Sequence, residues 1–335
     1  MRKFLIRTFL TIFSGFAFYC CIIWFALVVG LDHWLPNFHT TSGGYGQLLL
    51  RLREVKTIED VDILFIGSSH VYRGFDPREF EKHGYTSFNL GSTSQTPYNS
   101  YYLLREYLPT TNPEMVVLDL YWNMLVQDGL ESTIDIISNA ELESSVVEMG
   151  LVLKNGLALN SMLINAIKRL HVPLHRLEQQ KSRVDVYVKG GYTQTLHSGN
   201  TMSEEELESL EPMEFRFSDV QLAHLIKIIR MCKNRGIQLV FVVTPVTDYY
   251  KNKLVNYAEY ASAIKTIASR HNIPLFDYNR RADLELHSLK EFYDEDHLTQ
   301  AGVKKFNRLF INDLLANKII KPPSYKKHSY ASRNN

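Results

Sequence analysis

The order of apolar and polar positions divides the chain into two unequal parts. Residues 8 to 31 carry no charged side chain, a run of about 24 residues that a helix extends to about 36 Å, against a hydrocarbon core of about 30 Å. Beyond residue 60 the pattern changes. Short apolar, β-branched runs bounded by turn formers occur at VDILFIG (61–67), TSFNLG (86–91), MVVLDLYW (115–122), IQLVFVVTP (237–245) and IPLFDY (273–278), and each predicts a strand. Between and after them, SYYLLREYL near residue 100, DVQLAHLIKIIRMCKNRG from 219, NYAEYASAIKTIASRHN from 256 and QAGVKKFNRLFINDLLANK from 300 carry the helical period. The basic turn before Gly236 is a helix stop ahead of the fourth strand. Nearly continuous apolar strands separated by helices predict an α/β fold: a parallel sheet of about five strands covered on both faces, three layers in all.

The apolar run is too long for the core of a signal peptide and lacks a clear small-x-small cleavage site, so it predicts an uncleaved anchor over residues 1–35. Arg2, Lys3 and Arg7 precede it and no Lys or Arg follows before Arg51, which sets the N-terminus in the cytoplasm and the rest of the chain in the periplasm or outside the cell. Trp34 fits an interfacial anchor. Residues 36–58 begin with turn formers and read as a juxtamembrane linker and lead-in. A domain over 59–320 follows, with a tail at 321–335 expected to fray. The connection between the third and fourth strands, 124–218, is too long for a plain loop and reads as an insertion. It holds one helical portion, SVVEMGLVLKNGLALNSMLINAIKRL, and a hairpin in VDVYVKGGYTQTLH that turns at Gly190 and Gly191.

Charge narrows the partners. Lys+Arg 37 against Asp+Glu 36 gives a formal net charge of +1, with no basic stripe, so nucleic acid is not an expected partner. Two of the 3 cysteines, Cys20 and Cys21, lie in the apolar run and leave Cys232 alone, so no disulfide is expected in the domain. His171 and His175 are four apart, but Pro173 breaks the helix that would align them, and no metal or other cofactor is expected.

The chemistry concentrates where strands end, because crossovers leave a crevice beyond their carboxyl ends. Gly67, Ser68, Ser69 and His70 follow the first strand directly. Alone, Gly-Ser-Ser there is a turn; a serine nucleophile needs a base held in one tautomer. FYDEDHLTQAG, near the other end of the chain, offers one: Asp294 stands three residues before His297, with Asp296 as a second candidate to orient the imidazole. An oxyanion needs preorganised donors. NLGSTSQTP (89–97) and Asn123 could supply them, although Asn89 and Asn123 also suit a turn and a cap.

In order and spacing these motifs resemble the SGNH or GDSL-like hydrolases, over roughly residues 60–123 and 237–316. The resemblance implies a flavodoxin-like three-layer domain with Ser69 as nucleophile, His297 as base and Asp294 as its orienter. It also implies oxyanion donors at Ser69, at Gly91 or Ser94, and at Asn123. The motifs depart from the family: Ser68-Ser69-His70 replaces Asp-Ser-Leu, Asn89-Leu90-Gly91 lacks the later glycine, and Tyr121-Trp122-Asn123-Met124 replaces Gly-x-Asn-Asp. In the Gly-Ser-Ser start and the anchor they resemble the membrane-anchored extracytoplasmic branch, which includes the teichoic acid D-alanyl transfer protein and SGNH partners of membrane-bound O-acyltransferases. His70 is then expected to touch substrate. The function implied is a serine esterase or O-acyltransferase acting on an acylated cell-envelope glycan or related polymer, with a membrane-bound O-acyltransferase as a candidate partner. The alternative is a catalytically inert anchored protein that binds glycan or assists such a complex.

Overall fold

The computed structural model describes residues 1–31, 41–281 and 283–321. Trp34, residues 36–40 of the expected linker and residues 322–335 of the tail lie outside the described residues. In chain order the elements are α1 (Arg2–Val29), α2 (Leu48–Val55), β1 (Ile63–Gly67), α3 (Ser69–Gly74), α4 (Pro77–Glu81), β2 (Ser87–Gly91), α5 (Pro97–Thr111) and β3 (Met115–Asp119). The insertion follows with α6 (Leu130–Asn139), α7 (Ser144–Val152), α8 (Gly156–His171), β4 (Asp185–Val188), β5 (Tyr192–Thr195) and α9 (Glu204–Glu208). The chain then runs through α10 (Asp219–Arg235), β6 (Gln238–Val243), α11 (Asp248–Lys253), α12 (Tyr257–His271), β7 (Leu275–Asp277) and α13 (Gln300–Ala316).

The five predicted strands form one parallel sheet in the order β2-β1-β3-β6-β7. Alternation along each strand divides its side chains between two faces. Leu64, Ile66, Val116, Leu118, Phe241 and Val243 join the core under α5, α10 and α12. Ile63, Phe65, Val117, Val240 and Val242 pack with Val71 of α3, Phe75 just after it, and Phe306 and Phe310 of α13. This is the expected three-layer arrangement. The chain leaves β1 for β2 on one side and returns to β3 on the other, so the loops after β1 and β3 flank the crevice of the switch point. Ser69 follows β1 there.

Two expectations are corrected. The described part of the lead-in is not a free linker: Leu48, Leu49, Leu52 and Val55 of α2 are buried. Its Arg51 is 0% exposed and donates Nε to the Gly191 carbonyl at 2.8 Å, Nη1 to Gly91 at 2.9 Å and Nη2 to Gly46 at 2.8 Å. One side chain thus ties the lead-in and the hairpin to the end of β2. Arg51→Met strands three buried carbonyls and should lower stability by about 3–5 kcal/mol, read as a fall in Tm of the solubilised chain; an unchanged Tm contradicts that role. Second, the single helical portion expected in the insertion is two helices. Lys154 takes φ +53, a conformation that stops α7, and Asn155 caps α8 by accepting from the Leu157 N–H at 2.8 Å. The hairpin forms as expected, β4 pairing antiparallel with β5. It docks on the sheet edge, where the Asn89 N–H donates to the Gly190 carbonyl at 2.9 Å.

α1 is long and apolar enough to cross a membrane. Most of its surface is uncovered, so it is not a core helix.

Candidate active site

Gly67 ends β1 with φ +154, and an added Cβ there would lie 2.8 Å from Val71 Cγ2 and 3.0 Å from Asp119 Cβ. Only glycine lets the chain turn from β1 into α3 so close to β3. Ser68 caps α3, its Oγ accepting from the His70 N–H at 3.4 Å. Ser69 is the first residue of α3, and its backbone N–H has no acceptor within the helix.

Asp294 and His297 come from the loop before α13. Asp294 Oδ1 accepts the backbone N–H groups of Asp296 at 3.0 Å and of His297 at 2.6 Å, which curls the loop around its own carboxylate. The insertion holds the same loop: Asn200 Nδ2 donates to the carbonyls of Ser288 at 3.0 Å and Asp294 at 2.9 Å. Tyr293 stacks on the imidazole with centroids 5.5 Å apart. Ser69 Oγ lies 2.7 Å from His297 Nε2, and His297 Nδ1 lies 2.9 Å from Asp294 Oδ2. With a carboxylate on Nδ1, that nitrogen carries the proton and Nε2 faces the hydroxyl as acceptor.

A second carboxylate shares the imidazole. Asp296 Oδ1 stands 2.8 Å from His297 Nδ1, while its Oδ2 accepts from the Tyr121 hydroxyl at 2.8 Å and lies 3.3 Å from His70 Nε2. Burial pushes the imidazole of His297 down, but Asp296 and then Asp294 outweigh it and hold the group well above its ordinary value. Burial likewise favours the neutral form of Asp296, and His297 with His70 outweighs it, so this carboxyl stays well below the usual range. Stability from His297 is therefore fully present below the ordinary imidazole value and lost as pH rises through the folded one. That from Asp296 is present above the ordinary carboxyl value and lost as pH falls through the folded one.

His70 departs from the expected contact with substrate. It is 3% exposed, stacked on Tyr121 at 4.0 Å, with Nδ1 2.8 Å from Thr244 Oγ1. Thr244 in turn donates its N–H and its hydroxyl to Asp119 Oδ1, each at 3.2 Å. With the threonine proton on Asp119, His70 Nδ1 is the donor to Thr244. The residue is a buried support behind Asp296.

Asn123 is corrected as well. Its Nδ2 donates to the hydroxyls of Tyr121 at 2.9 Å and Tyr250 at 2.6 Å, so both amide protons are committed behind Asp296 and neither serves an oxyanion beside Ser69. Gly91 does reach the nucleophile turn: an added Cβ would lie 2.9 Å from the carbonyl oxygens of both Gly67 and Ser68. Ser94 sits further along the same loop in a left-handed conformation, φ +51.

Asp119, Tyr121, Thr244 and Tyr250 complete the network without having been singled out in the sequence. Asp119 carried a signal, a carboxylate inside the apolar run MVVLDLYW. Burial raises its carboxyl, against the pull of His70 and Thr244. A surface cleft of about 240 Å³ between Asp283, Leu284, Lys305 and Arg308 shares no residue with this site.

No protein-family model matches the chain, and no curated protein matches it. Solved structures are similar, among them the following three. A proposed acylhydrolase of Bacteroides fragilis has 16% identity and TM-score 0.42, covering 83% of this chain and 99% of its own. A GDSL-like lipase of Bacteroides thetaiotaomicron has 13% identity and TM-score 0.42, covering 82% and 99%. A lipase/acylhydrolase of Enterococcus faecalis has 11% identity and TM-score 0.39, covering 78% and 97%. At such values the chemistry has to be read from this chain's own residues.

Proposed function

We propose that the protein is a membrane-anchored serine esterase or O-acyltransferase that works through an acyl-serine. The observation that carries this reading is the 2.7 Å contact of Ser69 Oγ with His297 Nε2, whose other nitrogen is held by Asp294. Ser69 Oγ attacks the ester carbonyl while His297 Nε2 takes its proton. The oxyanion falls to the N–H of Ser69 together with a donor from the end of β2 or the loop after it, Gly91 or Ser94. His297 returns the proton to the leaving alkoxide, the C–O bond breaks, and the acyl group stays on Ser69. A water or a sugar hydroxyl then attacks, gives its proton to His297, and Ser69 leaves with that proton.

The anchor supports a substrate at the membrane, and basic residues confined to the near side of the span support a domain in the periplasm or outside the cell. An acylated envelope glycan or related polymer fits that placement, with a membrane-bound O-acyltransferase as the supplier of acyl groups. Incubated with a fluorophosphonate, the full chain in detergent should become labelled and Ser69→Ala should not; a folded wild-type chain that resists several such probes favours an inert binding protein. Because neutral His297 is the base, the acid limb of kcat/KM should lie above ~6.5, the unperturbed imidazole value. A limb at or below that value contradicts the control of His297 by the two aspartates.

A further inference from the structure

We propose that the insertion completes the catalytic centre: its segment 197–201, with Asn200 as the positioning residue, sets the loop of Asp294 and His297 at its working distance from Ser69. This rests on the reading of Ser69 and His297 as the reacting pair.

The turn that carries His297 fixes its own shape. Besides the bonds to Asp294 Oδ1, the Tyr293 N–H donates to the His297 carbonyl at 2.9 Å, and Phe292 forms a bridge with Leu298. Bonds within a turn do not place it relative to α3, where Ser69 stands. Placement comes from two sides. On one, Tyr121 and His70 hold Asp296, and Thr247 after β6 donates its N–H at 3.1 Å and its hydroxyl at 2.7 Å to the Glu295 carbonyl. On the other stands the insertion. The Asn200 N–H donates to the Leu289 carbonyl at 3.0 Å, and Thr201 gives its N–H at 2.9 Å and its hydroxyl at 2.8 Å to the Tyr293 carbonyl. Asn200 Nδ2 spends both protons, on the carbonyls of Ser288 and Asp294, and so bridges the two limbs of the loop. The Met202 N–H, 2.9 Å from Asn200 Oδ1, fixes which end of the amide carries those protons.

The same segment backs the imidazole. His197 lies on Tyr293 with ring centroids 5.6 Å apart and planes 17° apart, and Tyr293 lies on His297 at 5.5 Å and 15°. Arg73 stands over Tyr293 at 5.6 Å and is held by Asp185 of β4 through bonds of 2.8 and 2.9 Å. The insertion thus supplies a ring behind Tyr293 and the counter-ion of the cation above it. Core filling does not account for these contacts, since no residue of 196–203 is buried. The segment instead follows the loop closely: an added Cβ at Gly199 would lie 3.2 Å from the Leu289 carbonyl oxygen.

The test measures kcat and KM of the full chain in detergent with p-nitrophenyl acetate, counted per active site by exhaustive fluorophosphonate labelling. A misplacement of about 1 Å costs about a hundredfold, so Asn200→Ala should lower kcat per site by about that factor. KM should change little, because acylation and deacylation both use His297. The acid limb of kcat/KM should stay where it is, because Asp294 and Asp296 travel with the imidazole. A segment that only supports the fold would reduce the number of labelled sites and leave the rate per site unchanged, which would overturn the proposal. Thr201→Val loses one side-chain bond, keeps the N–H bond and should fold even where Asn200→Ala does not; its rate per site should fall severalfold, and an unchanged rate would equally overturn the proposal. Ser69→Ala, run beside them, separates the two levels. If it is inactive while Asn200→Ala and Thr201→Val turn over normally, the reacting pair stands and the positioning role falls. If Ser69→Ala itself turns over normally, the pair falls, and the positioning role with it.

Discussion

Ser69→Ala is expected to lower kcat for an ester substrate by about a millionfold, to the residual rate that binding and oxyanion donors sustain. The hydroxyl is the atom that becomes acylated, and no neighbouring group can replace it. The loss should not come from unfolding, because among the described residues Ser69 Oγ bonds only to the His297 it serves and the helix start is held by Ser68. His297→Ala should cost about as much. The two together should cost no more than either, because residues acting as one unit lose their effect once. Steady-state kinetics on folded variants checks this. A loss of less than about tenfold, or two losses that multiply, would place the chemistry elsewhere.

The second large effect separates the two carboxylates on one imidazole. Asp294→Asn should reduce kcat by about ten-thousandfold with the fold intact. An amide at that position retains an acceptor for the N–H groups of Asp296 and His297, but it can offer its NH₂ to Nδ1 and so move the ring proton onto Nε2, where it blocks acceptance from Ser69. Asp296→Asn should act differently. Its oxygens are shared among His297, Tyr121 and His70, so its removal weakens the charge that raises His297 and moves the acid limb down toward ~6.5, with a smaller loss at the plateau. A larger plateau loss in Asp296→Asn than in Asp294→Asn would reverse the two roles.

The sheet was legible because each strand is a short β-branched run closed by turn formers, and a parallel sheet buries both faces of such runs. The convergence of Ser69 with His297 followed from their places, one after the opening strand and the other before the last helix. What could not be read depends on contacts across strands. His70 looked like a substrate contact beside the serine; its burial comes from Thr244 after β6, Asp119 at the end of β3 and Tyr121 in the next loop, none adjacent in sequence. Asn123 looked free to donate until Tyr121 and Tyr250 took its protons. The lead-in was misread for a different reason. LLLRLREV has helical spacing, but the glycines before it dominated, and nothing local reveals that Arg51 finds carbonyls about 40 and 140 residues away. The break at Lys154 was hidden too, because Asn155 and Gly156 permit either a continuous helix or a new start.

The most direct measurement is to quench the full chain during turnover of an activated acetyl ester, digest it, and locate the acetyl group by mass spectrometry. One acetyl group on the peptide containing Ser69, absent from Ser69→Ala and strongly diminished in His297→Ala, is the predicted result. An acetyl group that forms equally in Ser69→Ala, or turnover with no acyl group on Ser69 at any quench time, would contradict the account.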